Sequence, residues 1–128
     1  TRTVFLGAPL RKFSRIYRTV RQAQLAALEK IMPGVESTYP DSIARGLIKK
    51  AGFGEYFGHS LGHGVGLATH EKPRLGPRRP ETLKEGMVVT VEPGIYIPGQ
   101  GGVRLEEMVV IERDGPRILT TEPHFYEF

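Results

Sequence analysis

An α+β fold, with helices in the first half and a mainly antiparallel sheet in the second, is what this sequence predicts, and two observations carry the prediction. Starting at Phe13, apolar residues recur at Ile16, Tyr17, Val20, Ala23, Ala27 and Ile31, which is helical spacing. From Gly52 onwards, glycine and proline punctuate short β-branched runs, the pattern of strands and turns rather than of further helices.

Each element follows from local signals. Residues 1–6 alternate enough to be a strand, with Val4 and Leu6 on one face, and Gly7-Ala8-Pro9 ends it. The first helix has Ser14 as a candidate N-cap and Pro33-Gly34 as its stop. A second helix is expected from Pro40 or Asp41 to Ala51, burying Ile43, Leu47 and Ile48, with Lys49 and Lys50 in its last turn and Gly52 beyond. The strongest strands are residues 87–92 and 103–111. Between them Pro98-Gly99-Gln100-Gly101-Gly102 reads as a hairpin turn, with residues 94–97 extending the first arm. No repeat, low-complexity tract or linker divides the chain, and 128 residues with 39% hydrophobic content fit one domain.

Composition narrows the chemistry. With no cysteine, any metal must be held by His, Asp or Glu. No apolar run approaches the roughly 20 residues a spanning helix needs, so no membrane partner is expected, and a cytoplasmic location is. The net charge of +4 comes from two basic clusters. Arg11, Lys12, Arg15, Arg18 and Arg21 fall on or before the first helix, and Lys72, Arg74, Arg78 and Arg79 fall in a Pro-rich loop. Without interleaved aromatics these read as solvated faces, so no nucleic acid is expected.

The candidate site lies in the second half. Three of the four histidines, His59, His63 and His70, share one Gly-rich stretch. Alternating Gly62, Gly64 and Gly66 argue against a helix there, and on an extended strand His59 and His63 take the same side. Glu92 closes one β-branched strand and Glu106-Glu107 interrupt another. Carboxylates inside apolar strands are costly unless paired. A turn centred near Gln100 sets Glu92 opposite Glu106 or Met108, and like charges facing across strands repel unless a cation lies between them. Parity favours Glu106 over Glu107 as the companion of Glu92, unless a bulge reverses it. Plainer readings stand beside this one: histidines satisfied by hydrogen bonds in a loop, and an ion pair between Glu106 and Arg104.

The blocks His59-Ser60-Leu61-Gly62-His63-Gly64-Val65-Gly66-Leu67, His70-Glu71, Thr90-Val91-Glu92-Pro93-Gly94-Ile95-Tyr96 and Val103-Arg104-Leu105-Glu106-Glu107 resemble, in order and spacing, the signatures of the pita-bread metallopeptidases. Glu-Pro-Gly-Ile-Tyr and Arg-Leu-Glu-Glu resemble the Xaa-Pro aminopeptidase and prolidase branch. The resemblance implies a carboxy-terminal portion of that fold, with His63, Glu92 and Glu106 as metal ligands and Glu106 bridging two divalent ions, whether manganese, cobalt or zinc. It implies that His59 and His70 line the substrate site and that Arg104 steadies the carboxylates. A proline-containing peptide is the expected substrate and a homodimer the expected assembly. In the family two aspartate ligands precede a strand resembling residues 1–5, and Asp41 and Asp114, the aspartates present here, are wrongly placed to replace them. These 128 residues are therefore expected to be a fragment that is inactive alone. The alternative is a non-catalytic pita-bread module that binds peptides or proteins.

Overall fold

The computed structural model describes residues 1–126. Helix α1 (Arg11–Leu28) forms where the period of apolar residues demands it, and Ile16, Val20, Ala23 and Ala27 are fully buried along one stripe. It starts earlier than its apolar pattern suggests. Leu10 is the extended residue before it, and its carbonyl accepts the N–H groups of Phe13 and Ser14, so Ser14 lies inside the first turn rather than at the cap.

Helix α2 (Thr38–Lys50) likewise begins before Pro40, which is tolerated in a first turn because its missing N–H has no helical partner there. Ser37 precedes it, and the Ser37 hydroxyl accepts the Glu81 N–H at 3.1 Å instead of capping the helix. Of the residues expected to be buried on α2, Ile48 is buried and Ile43 partly so, but Leu47 is 38% exposed. The inward stripe is Pro40, Asp41, Ala44 and Ile48. It is rotated because Asp41 is drawn inside by polar partners described below.

Residues 1–6 do not form the expected strand. Thr1 O accepts the Glu106 N–H at 3.0 Å, but two residues further on the Thr3 hydroxyl takes the place of a backbone group, donating to Arg104 O at 3.0 Å and accepting Arg104 N–H at 3.1 Å. Side-chain bonding of this kind breaks a ladder. Val4 and Leu6 are exposed, whereas Phe5 turns inward against Tyr17 and Tyr126.

After a short 3₁₀ turn (Gly54–Tyr56) come β1 (Gly62–Gly64), β2 (Glu71–Leu75), β3 (Val88–Val91), β4 (Gly94–Ile97), β5 (Gly101–Arg104), β6 (Glu107–Glu112) and β7 (Gly115–Ile118). One sheet runs in the order β2-β1-β3-β6-β7, and β4-β5 form a separate hairpin; the pairings are antiparallel. The predicted strand 103–111 is therefore broken in two, while 87–92 and its extension 94–97 appear as the separate β3 and β4. The breaks coincide, at Glu92-Pro93 on one arm and Leu105-Glu106 on the other, because proline cannot donate to a ladder. Register is unchanged across them: Val91 faces Glu107 on one side and Gly94 faces Arg104 on the other. Glu92 thus falls opposite Glu106, as parity required, and Pro93 opposite Leu105.

Helix α1 packs on α2 and on β3, β4 and β5, while α2 reaches β2. Val89, Val91, Val103, Leu105, Val109 and Ile111 join the helix stripes in the core. Strand alternation then turns Thr90, Glu92 and Glu106 to the other face. Glu107, on the core side, is 3% exposed and paired with Arg2 at 3.0 Å and His124 at 2.6 Å. No described helix is long and apolar enough to cross a membrane.

Candidate metal centre and substrate cleft

The histidine-bearing segment is held from below by α2. Asp41, 1% exposed, accepts Arg45 Nε and Nη2, each at 2.9 Å, and the Leu61 N–H at 3.0 Å. Arg45 spends its other donors on Phe57 O at 2.9 Å and His59 O at 2.8 Å, and its guanidinium lies 4.3 Å from the Phe57 ring centre. From above, β1 meets β3 so closely that a Cβ at Gly62 would fall 1.9 Å from Thr90 O. Glycine is required there by contact with backbone. Gly62→Ala is expected to cost about 1–3 kcal/mol and to displace His63, which denaturant unfolding together with the His63 ring resonances would register.

His63 Nδ1 lies 2.9 Å from Gly64 O, a group that only accepts, so Nδ1 carries a proton and Nε2 is the atom left for a cation or a second proton. Nε2 faces Glu92 Oε1 at 3.2 Å. Two acceptors at that separation fit a shared cation or a second ring proton. Thr90 Oγ1 ties the pair together, accepting the His63 N–H at 3.1 Å and donating to Glu92 Oε1 at 3.0 Å. Arg104 Nε is buried without a hydrogen-bond partner and stands 3.9 Å from Glu92 Oε2. A hydrogen bond with Tyr96 holds the Arg104 guanidinium above its ordinary pKa.

Glu106 is otherwise engaged. Its carboxylate accepts the Thr1 hydroxyl and pairs with the Thr1 amino group at 3.2 Å. Burial alone would raise its pKa, but these Thr1 bonds and the nearby positive charges bring it below the usual value. His59 donates from Nδ1 to Ser60 O at 2.8 Å, leaving Nε2 to accept the Tyr96 hydroxyl at 2.9 Å. The His70 ring centre is 4.4 Å from that of His63. A cleft of about 1110 Å³ is lined by His59, His63, His70, Glu92 and Arg104, and a neighbouring cavity of about 500 Å³ by His63 and Glu106.

The fold therefore brings His63, Glu92, His70 and Arg104 together and sets Glu106 across the strand from Glu92. Among the described residues, however, no three His, Asp or Glu side chains converge tightly enough to hold an ion. The donor set, one imidazole and carboxylates from opposed strands, is of the kind that suits zinc, manganese or cobalt. Thr90, Asp41 and Arg45 escaped the sequence reading. Asp41 and Arg45 did carry a signal, being opposite charges four apart on a helix.

The family model for metallopeptidase family M24 matches residues 1–113. The chain belongs to metallopeptidase family M24. It is 51% identical over 120 residues to an Xaa-Pro dipeptidase of Pyrococcus horikoshii, covering 94% of this chain and 34% of that relative. Among solved structures, the prolidase from Pyrococcus furiosus superposes with a TM-score of 0.94 at 50% identity, over 96% of this chain and 36% of the other. The X-Pro aminopeptidase from Thermotoga maritima superposes with a TM-score of 0.92 at 46% identity, over 96% and 35% respectively. The M24 chain described here thus spans about a third of the length of these relatives. Its α+β architecture is the pita-bread architecture of the M24 prolidases.

Proposed function

We propose that this chain supplies part of the active site of an Xaa-Pro metallopeptidase, in which His63, Glu92 and Glu106 would hold two divalent ions. The observation that carries the reading is His63 Nε2 facing Glu92 Oε1, 3.2 Å away, at the wall of a cleft that His59 and His70 also line. Ions bound there would acidify a shared water and polarise the scissile carbonyl. The remaining work belongs to side chains. Arg104 orients Glu92, and His70, packed at a tilt beside His63, binds substrate and offsets charge developing on the carbonyl oxygen. His59, held by Ser60 and Tyr96, lines the same cleft and contacts the peptide.

The substrate is a peptide with proline as its second residue, of dipeptide or greater length, since relatives named for each activity are similarly close to this chain. Manganese, cobalt or zinc, a homodimer and a cytoplasmic setting complete the reading. The two aspartate ligands that the family resemblance calls for come from outside these 128 residues. Asp41 is committed to Arg45 and Leu61, and Asp114 lies in the turn between β6 and β7. By itself the chain then binds divalent metal weakly and does not hydrolyse Xaa-Pro peptides.

The test follows cleavage of a proline dipeptide and tripeptide by the chain in manganese, cobalt or zinc, with and without an added segment carrying two aspartates. Activity only on complementation is the expected result. Robust turnover by the chain alone would contradict the divided site, and failure of both metal binding and turnover in every mixture would favour a non-catalytic peptide-binding module.

A further inference from the structure

Gln24 lies midway along α1, fully buried in a stripe that is otherwise mainly apolar. A buried amide brings two N–H donors and a carbonyl, and leaving any of them empty is costly. All are used. Nε2 donates to Val91 O at 3.0 Å and to Leu105 O at 2.9 Å, while Oε1 accepts from Arg21 Nη1 at 2.7 Å. The two carbonyls belong to the residues immediately before Glu92 and Glu106, on opposed strands.

Why Leu105 O needs this donor can be read from its partner across the ladder. Leu105 N–H points to Pro93 O at 3.4 Å, and the reciprocal bond of an antiparallel pair would come from the N–H of residue 93. Proline has none. Leu105 is fully buried, so its carbonyl requires a partner from within the protein.

We propose that Gln24 is a positioning residue for Glu92 and Glu106: its amide stands in for the missing proline N–H and fixes the spacing of the two carboxylate-bearing strands where their ladder is interrupted. The metal-holding role of those carboxylates rests on the reading above, whereas the clamp rests on the hydrogen bonds alone.

Gln24→Met keeps the volume and removes both donors. In the 128-residue chain it should speed amide exchange at Glu92 and Glu106 by about tenfold and weaken manganese binding by a similar factor. Both amides are hydrogen-bonded in the parent, to Leu61 O at 2.7 Å and Thr1 O at 3.0 Å, so a change is readable. Pro93→Ala restores an N–H opposite Leu105, and the double variant Gln24→Met/Pro93→Ala should recover most of the lost protection. A space-filling role for Gln24 predicts no such rescue. Unchanged exchange in Gln24→Met, or no recovery in the double variant, would overturn the proposal. If Gln24→Met does not fold, the unsubstituted chain decides: its Gln24 side-chain amide protons should be protected like core amides, and exchange at the free-amide rate would overturn the clamp. A parent chain that binds no manganese by itself would remove the metal readout and leave exchange to decide the clamp.

Discussion

Within a full-length M24 frame, Glu106→Gln is expected to abolish both metal retention and turnover, whereas His70→Ala keeps its metal and lowers kcat by about 10²–10³. The difference follows from where the two side chains stand. Glu106 is the carboxylate opposite Glu92 across the interrupted ladder, and as the bridging ligand it would fix both ions and so the shared water. Replacing one oxygen by an amide nitrogen removes its charge and half its coordinating capacity. The His70 ring lies tilted beside that of His63, 4.4 Å between centres, and in this account it acts on substrate and transition state alone. Metal analysis of the purified variants alongside steady-state kinetics separates the roles. Equal metal loss in the two variants would contradict them.

Asp41→Ala should destabilise the chain by about 3–5 kcal/mol, the range for removing one partner of a buried ion pair. The Asp41 side chain is 1% exposed and that of Arg45 29%, so water reaching the arginine places the loss toward the lower end of that range. The damage extends beyond the pair. Arg45 also holds the Phe57 and His59 carbonyls, and Asp41 holds the Leu61 N–H, so the segment leading to His63 loses its anchor to α2. Asp41→Asn retains a carbonyl acceptor and should lose less, about 1–3 kcal/mol. Urea unfolding measures both, and a loss under about 1 kcal/mol for the alanine variant would show that the pair is not the anchor described.

Much of the site was legible in the sequence because it depends on period and parity. Helical recurrence through Ile16, Val20, Ala23 and Ala27 located α1, and parity placed Glu92 against Glu106 rather than Glu107, in a register centred on Gly99, one residue before the expected Gln100. Parity also explains Glu107, which alternation sends to the core side, where Arg2 neutralises it and His124 hydrogen-bonds it. What periodicity cannot express is a polar group that satisfies something distant in the chain. Residues 1–6 alternate like a strand, yet the Thr3 hydroxyl replaces the ladder. Leu47 looked like a core residue because nothing local announces that Asp41, four residues before Arg45, would turn α2 toward the Leu61 amide. Gln24 is read locally as one polar residue on a helix; its meaning lies in a proline 69 positions later that leaves a carbonyl without a donor.

His63, Glu92 and Glu106 are proposed to form one side of a metal centre. Crystals of the chain soaked in millimolar manganese, with data collected for anomalous scattering, test it directly. The expected result is an anomalous peak about 2.0–2.2 Å from His63 Nε2 and from a carboxylate oxygen of Glu92 or Glu106, with the His63–Glu92 contact opened to admit it. A peak bound elsewhere, or none in crystals where the His63–Glu92 pair is intact and reached by solvent, would contradict the account.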